Sequence, residues 1–127
     1  MNQSCPCHSG RVFEECCQIY CSKIQMPSTP EALMRSRYTA FVLKDWSYIK
    51  STSMGKALKQ FKRSKSLESV EWLGLEVVKT RQKNAVEGWV EFIAHYQLND
   101  KEYTLHERSY FKYHIDRWYY THGRQLS

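Results

Sequence analysis

The stretch Cys-Pro-Cys-His-Ser-Gly-Arg-Val-Phe-Glu-Glu-Cys-Cys, residues 5–17, decides how the N-terminal part of this chain folds. It contains two cysteine pairs, Cys5/Cys7 and Cys16/Cys17. A tetrahedral zinc site holds each sulfur about 2.3 Å from the metal, so two pairs on a folded-back loop suit it. Ser9-Gly10 can reverse the chain, since glycine adopts backbone angles that other residues avoid. The spacing therefore predicts a metal-binding cluster.

Two disulfides are the alternative for these cysteines. The sequence shows neither an apolar signal stretch nor a run of about twenty apolar residues, so we expect a cytoplasmic protein without a membrane segment. Thiols stay reduced in the cytosol, where clustered cysteines usually indicate metal binding or catalysis. A Cys5–Cys7 or Cys16–Cys17 bridge would also be strained. Cys21 is expected to be a buried or free thiol, with a spare-ligand role as the alternative.

The cysteine spacing, with Ser-Gly after the second cysteine, resembles the SEC-C motif, a small zinc module first named in a protein-translocation motor. The resemblance implies one structural Zn²⁺ held by Cys5, Cys7, Cys16 and Cys17. His8 departs from the motif, which usually has glycine there. We expect either that the turn tolerates the side chain, which then faces solvent, or that His8 is an alternative ligand; the solvent-facing position is favoured, because four thiolates already fill the site.

The chain of 127 residues is basic, with a formal net charge of +6. Four zinc-bound thiolates and their ion would lower that charge to about +4. Such a balance is compatible with a nucleic-acid or ribosome surface as partner, and equally with an ordinary soluble protein.

Helical periodicity begins after the Pro27–Pro30 linker. Ser28 and Glu31 have capping-box spacing, and Pro30 suits a first helical turn. The apolar stripe of this helix consists of Leu33, Met34, Tyr38, Phe41 and Val42. A second short helix, from Trp46 to about Ser51, is predicted with Asp45 as its cap.

A third helix is predicted from Gly55 to about Lys65, and it carries five positive charges without an acid. The interpretation that we favour is a solvated helix face. The functional alternative is a docking patch for phosphate or for an acidic protein, formed by Lys56, Lys59, Lys62, Arg63 and Lys65.

Alternating apolar residues then predict four antiparallel strands. Their expected ranges are Trp72–Val78, Val86–Leu98, Tyr103–Tyr113 and a short Trp118–Tyr120. About three helices followed by a meander of about four strands indicate an α+β fold, with the helices covering one face of a curved sheet.

Five segments are similar to the YchJ-like family: LMRSRYTAFV (33–42), EWLGLEV (71–77), GWVEFIAHY (88–96), HERSYF (106–111) and RWYY (117–120). The resemblance implies a SEC-C zinc knuckle at 1–25, a linker at 26–30 and a cone-shaped nuclear transport factor 2-like domain at 31–127. Such domains often form homodimers through the open sheet face. Two departures stand out: we expect no second, C-terminal SEC-C motif, and Ser51–Met54 replaces the family's Thr-Trp-His-Pro.

Cone-shaped domains of this kind often enclose a pocket, which makes inward polar residues informative. Glu107 falls on the apolar side of its strand, where a carboxylate must be paired, hydrogen-bonded or protonated. We expect Arg37 as its ion-pair partner, with Tyr38 as an alternative hydrogen-bonding partner. Together with Ser109 these residues form the predicted pocket.

The sequence shows no phosphate loop, nucleophile motif or open zinc position, and this disfavours an enzyme. The leading hypothesis is a non-enzymatic adaptor whose zinc knuckle docks onto a protein partner, such as a component of translation or protein export. Glu14 and Glu15 make the knuckle rim acidic, which favours a basic protein over RNA. The alternative is a small-ligand pocket protein or enzyme that uses Glu107.

Overall fold

The computed structural model describes residues 3–61 and 69–126. A 3-10 turn at Phe13–Glu15 precedes four helices and four strands. The helices are α1 (Cys17–Cys21), α2 (Pro30–Leu43), α3 (Trp46–Ser51) and α4 (Lys56–Lys59); the strands are β1 (Glu71–Gln82), β2 (Glu87–Leu98), β3 (Lys101–His114) and β4 (Arg117–Gln125). The predicted α+β fold is confirmed.

The four strands form one antiparallel sheet in the order β1-β2-β3-β4, as expected of a meander. Side chains alternate between its two faces. On the inner face Val90, Phe92 and Ala94 of β2 are buried, whereas Trp89 and Glu91 point to the other side. Bulges in β1 and between Tyr110 and Phe111 interrupt the register, and such bulges increase the local twist of a sheet.

Helix α2 covers the inner face of the sheet. Its Leu33, Met34 and Tyr38 join one buried core with Val90, Phe92, Ala94, Phe111 and Trp118 from the strands. Burial of large apolar side chains on both layers is the main force that holds the helix on the sheet.

The start of α2 differs from the prediction by one residue. Thr29, not Ser28, is the N-cap, and its Oγ1 accepts a hydrogen bond from the Ala32 amide at 3.0 Å. Pro30 then occupies the first helical position, where its missing N–H costs nothing. The Asp45 cap on α3 is confirmed, since its Oδ1 accepts from the Tyr48 amide at 3.1 Å.

Three element lengths were wrong in the prediction. Strand β1 was expected to end at Val78 but continues to Gln82. The third predicted helix was expected from Gly55 to about Lys65, but α4 ends at Lys59. Lys56 and Lys59 of the predicted basic patch lie on α4, whereas Lys62, Arg63 and Lys65 lie outside the described residues. Strand β4 continues to Gln125, because its residues beyond Tyr120 pair with β3 although they are polar. None of the described helices is long and apolar enough to span a membrane.

Candidate metal centre and internal cavity

The four cysteines of the N-terminal stretch meet in one buried cluster, here called the cysteine cluster. The Sγ atoms of Cys5, Cys7, Cys16 and Cys17 all lie within 4.8 Å of one another. Cys7 Sγ is 3.6 Å from Cys16 Sγ, and Cys16 Sγ is 4.0 Å from Cys17 Sγ. Ligand sulfurs of a tetrahedral zinc site lie about 3.8 Å apart. The cluster therefore has the size and donor set of a four-thiolate metal centre.

Local backbone geometry brings the two cysteine pairs together. The Cys5 amide donates to the Arg11 carbonyl at 2.8 Å, which closes the loop between the pairs. Within this loop His8 has φ 62° and Gly10 has φ 87°. A left-handed backbone at position 8 explains why glycine suits that position of the motif. The His8 side chain is exposed and is not among the clustered donors, as the favoured prediction expected.

Helix α2 anchors the cysteine cluster to the rest of the fold. The Arg35 guanidinium donates to the Cys7 carbonyl at 2.7 Å, and the fully buried Thr39 hydroxyl lies 3.7 Å from Cys5 Sγ. Cys21 is not one of the four clustered donors but packs against them, and its thiol donates to the Ser36 carbonyl at 3.7 Å. Burial raises the pKa of Cys21 to about 12, so it is a protonated thiol.

The thiols of the cysteine cluster differ in pKa, so that negative charge is favoured on one of them. Hydrogen bonding, above all with the Cys17 thiol, lowers the pKa of Cys7 to about 4. The same hydrogen bond raises the pKa of Cys17, and burial raises that of Cys16. One thiolate is thus stabilised by neighbours that keep their protons. A divalent cation would supply the charge needed to ionise the others.

A second feature lies between α2 and the inner face of the sheet. It is a cavity of about 210 Å³, lined mainly by apolar side chains. The four residues of the predicted pocket, Arg37, Tyr38, Glu107 and Ser109, all line it. The other lining residues are Met34, Phe41, Trp72, Phe92, Ala94, Leu105, Phe111 and Tyr120.

Glu107 is held in this cavity by hydroxyl groups. Ser109 Oγ donates to Glu107 Oε2 at 2.6 Å, and the Tyr120 hydroxyl donates to the same oxygen at 3.4 Å. Tyr120 is fixed in turn by its backbone, because its amide donates to the Thr52 carbonyl and its carbonyl accepts from the Met54 amide. Burial raises the pKa of Tyr120, so its hydroxyl keeps the proton that it donates.

The predicted Arg37–Glu107 ion pair was wrong. In the described ranges no ion pair joins these two side chains. The Nη1 atom of Arg37 instead donates to the Ile49 carbonyl, Thr52 Oγ1 and Ser53 Oγ, at 3.1, 2.6 and 3.1 Å. The Arg37 guanidinium therefore binds backbone and hydroxyl oxygens at the end of α3, and not the Glu107 carboxylate that the sequence predicted as its partner.

The Arg37 guanidinium also lies 4.4 Å from the centre of the Tyr120 ring, a cation–π contact. Burial lowers the pKa of Arg37 to about 10, which still leaves it charged at neutral pH. Arg37 thus acts on Glu107 through Tyr120, whose ring it covers and whose hydroxyl binds the carboxylate. Tyr38 does not bind Glu107; burial raises its pKa to about 12, and its ring packs edge-on against Trp72.

A glycine makes room for the carboxylate. A Cβ atom at Gly123 would lie 2.5 Å from Glu107 Cδ and 2.7 Å from the Tyr120 hydroxyl. No L-residue other than glycine fits there while Glu107 keeps its place. Neither Gly123 nor Tyr120 was among the predicted pocket residues. Tyr120 was predicted only as a strand residue, and that strand was predicted to end before Gly123.

Family models match both parts of this geometry. The model described as "YchJ, middle NTF2-like domain" matches residues 29–123, and the "SEC-C motif" model matches residues 1–19. The chain belongs to the YchJ family. The resemblance found in the sequence is confirmed, including the NTF2-like domain and the N-terminal SEC-C motif.

Curated relatives of this YchJ-family chain are described as UPF0225 proteins. One from Shewanella sp. strain MR-7 is 38% identical and matches 98% of this chain and 82% of the relative. One from Sodalis glossinidius is 35% identical, over 99% and 86% of the two chains. One from Haemophilus influenzae strain KW20 is 39% identical, over 93% and 75%.

Two solved structures share the fold of this YchJ-family chain. The solution structure of a SEC-C motif containing protein from Rhodopseudomonas palustris has a TM-score of 0.88, with 34% identity and full coverage of both chains. The crystal structure of a SEC-C motif containing protein from Psychrobacter arcticus has a TM-score of 0.81 and 28% identity, over 98% of this chain and 84% of that one.

Proposed function

We propose that this YchJ-family protein is a non-catalytic binding protein with two working parts. One structural zinc ion in the cysteine cluster fixes the N-terminal segment on α2, and the cavity beneath α2 holds a small ligand. The observation that carries the proposal is the Glu107 carboxylate in a largely apolar cavity, oriented by Ser109 and Tyr120. Small-molecule sites typically combine apolar walls with a few convergent polar groups.

Zinc is the metal that fits the cysteine cluster best. Four buried thiols at tetrahedral spacing suit a structural zinc site and leave no position for a substrate. The Ser9 hydroxyl, 3.3 Å from Cys16 Sγ, and that of Thr39 can donate to bound thiolates and orient them. A reduced thiolate site of this kind agrees with a cytoplasmic location, which we retain as part of the proposal.

The cavity indicates the kind of ligand. At about 210 Å³ it is smaller than the roughly 300–1,000 Å³ of drug-sized sites. Aromatic and aliphatic walls favour a compact apolar body. Since Ser109 and Tyr120 bind only Oε2 of Glu107, Oε1 is the acceptor for a ligand hydroxyl, amide or ammonium group.

Native mass spectrometry of the purified protein tests both parts, by comparison with the mass of the denatured chain. We expect one zinc ion and a further discrete mass. Glu107→Gln should lose the further mass and keep the zinc, whereas Glu91→Gln, on the opposite sheet face, should keep both. Zinc alone in the wild-type protein would contradict the ligand part, and absence of zinc would contradict the metal part.

An adaptor role is a second proposal, favoured by exposed apolar side chains beside the cysteine cluster. Ile24 is 79% exposed and Met26 is 41% exposed, just after α1. The control is Tyr103, which is 43% exposed and lies at the end of the sheet opposite Arg117, a residue that lines one surface cleft with Met26. A protein partner that docks on the segment after α1 should bind Tyr103→Asp normally and lose Ile24→Asp; equal binding of both variants would contradict this role.

A further inference from the structure

The outer face of the sheet, opposite α2, carries a cleft that the proposed function does not use. The cleft has a volume of about 520 Å³ and lies at the end of the sheet where β2 begins. Arg81, Lys83, Trp89, Tyr110, Lys112 and His122 are among its lining residues. Cations and flat rings thus alternate around one open surface.

The strand register shows how these side chains are arranged. Arg81 pairs with Trp89, Trp89 with Tyr110, and Tyr110 with His122, so one row crosses all four strands. The next row on the same face, two residues further along β2, is Lys79, Glu91, Arg108 and Arg124. Rows that cross four strands span three inter-strand spacings, about 14 Å. The two rows therefore form a continuous platform, here called the outer platform.

The outer platform and the cleft beside it have a strong excess of positive charge. Their cations are Lys79, Arg81, Lys83, Arg108, Lys112 and Arg124, against the carboxylates of Glu87 and Glu91. Glu91 is already engaged, since His106 Nε2 lies 2.7 Å from its Oε2 and Arg108 Nη2 lies 3.5 Å from its Oε1. The remaining charge is complementary to a polyanion. A second copy placed row against row would oppose cations to cations.

The rings of the outer platform add a surface for flat ligands. The Arg108 guanidinium lies 4.1 Å from the centre of the half-buried Trp89 ring, which fixes both groups. Tyr110 and His122 stack at 4.7 Å with an angle of 12° between their planes. Aromatic rings and arginine planes on an open sheet are the usual platform for unpaired bases, whereas a duplex hides its base faces.

We infer that the outer platform binds single-stranded nucleic acid, with bases against Trp89 and Tyr110 and phosphates against Arg81 and Lys112. This site is distinct from the predicted basic patch, of which Lys56 and Lys59 lie on α4. The inference rests on the rows and the cleft, and it is independent of the zinc site and of the inner cavity.

Fluorescence anisotropy with a labelled 12-nucleotide oligo(dT) tests the inference. Arg81→Glu/Lys112→Glu should weaken binding at least tenfold and make the slope of log K against log salt shallower by about 1.4, as expected for two lost phosphate contacts. Trp89→Ala should weaken binding about tenfold, within the range of one lost base stack. Circular dichroism verifies the fold of each variant.

The matched control is Lys56→Glu/Lys59→Glu, which makes the same change of charge elsewhere. It should alter affinity less than twofold. Equal losses in both double variants would overturn the inference, because binding would then depend only on net charge. The inference would also be overturned if an oligo(dT)–oligo(dA) duplex bound as tightly as the single strand or more tightly. The same holds if the mononucleotide dTMP displaced the labelled strand at the concentrations at which the strand itself binds, or if the strand did not bind at low salt.

Discussion

Gly123→Ala probes the packing around Glu107. The new Cβ would lie 2.5 Å from Glu107 Cδ and 2.7 Å from the Tyr120 hydroxyl, so the carboxylate must move. Movement breaks the 2.6 Å hydrogen bond from Ser109 and the longer one from Tyr120. Hydrogen bonds to a charged group contribute about 1.5–3 kcal/mol each when buried. Glu107 is only half-buried, so we expect a loss of about 2 kcal/mol in the free energy of unfolding.

Urea unfolding followed by far-UV circular dichroism measures this loss. The midpoint should fall with the m value unchanged, and the melting temperature should fall by about 8 °C for a chain of this size. Gly74→Ala is the matched control, since it also lies in a strand but its nearest atoms would be ordinary contacts at 3.8 Å. It should change stability by less than about 0.5 kcal/mol.

A double-mutant cycle shows whether the carboxylate is the cause. In the Glu107→Ala background the space of the carboxylate is vacant, and Gly123→Ala should then cost only about 0.5 kcal/mol. The resulting interaction energy, about 1.5 kcal/mol, lies in the range expected for residues in contact. Additive effects of the two substitutions would refute the argument, because Glu107 would not be the group that the new methyl displaces.

Three further predictions concern the metal centre, the buried cation and pH. Removal of the proposed zinc ion by a chelator should loosen α2 as well as the N-terminal segment, because Arg35 donates to the Cys7 carbonyl; increased amide exchange confined to residues before α2 would contradict this. Arg37→Met should destabilise the protein by about 3 kcal/mol in denaturant unfolding, since it removes the buried hydrogen bonds that the guanidinium donates to Ile49, Thr52 and Ser53, whereas Arg35→Met, at a partly exposed position, should cost about 1 kcal/mol. The hydrogen bond from His106 lowers the folded-state pKa of Glu91, so its contribution to stability is complete above the unfolded glutamate pKa of about 4.3 and is lost as pH falls through the lower folded value. Acid titration of stability should accordingly be shallower in His106→Ala, and an unchanged titration would exclude this pair as a source of acid sensitivity.

Local patterns in the sequence were sufficient for much of the fold. Alternation of apolar residues located all four strands, and the Asp45 cap lies where the sequence indicates. The cysteine spacing is likewise local, since both pairs lie on one loop closed by a short-range hydrogen bond between Cys5 and Arg11. Element ends were predicted less accurately, because β4 continues past Tyr120 by pairing with β3 and not by its own apolar pattern.

The inner cavity was predicted only in part. The period of β3 places Glu107 and Ser109 on the inner face, and that inference needs no tertiary information. The partner of Glu107 could not be derived in this way, since the sequence alone does not show which residue of a facing element lies in contact with its carboxylate. Tertiary packing brought Thr52 and Ser53 to Arg37 and left Glu107 to the hydroxyls.

The sequence by itself determined the cysteine cluster, the order of helices and strands, and the face on which each strand residue lies, because these depend on spacing along the chain. Tertiary structure alone decided which polar groups meet inside the cavity, why glycine at residue 123 leaves room for the Glu107 carboxylate, and that cations from β1, β3 and β4 align with Trp89 of β2 on one platform. Those properties depend on the register between strands and on where α2 crosses the sheet. Both are fixed by packing between segments distant in sequence, which no local pattern contains.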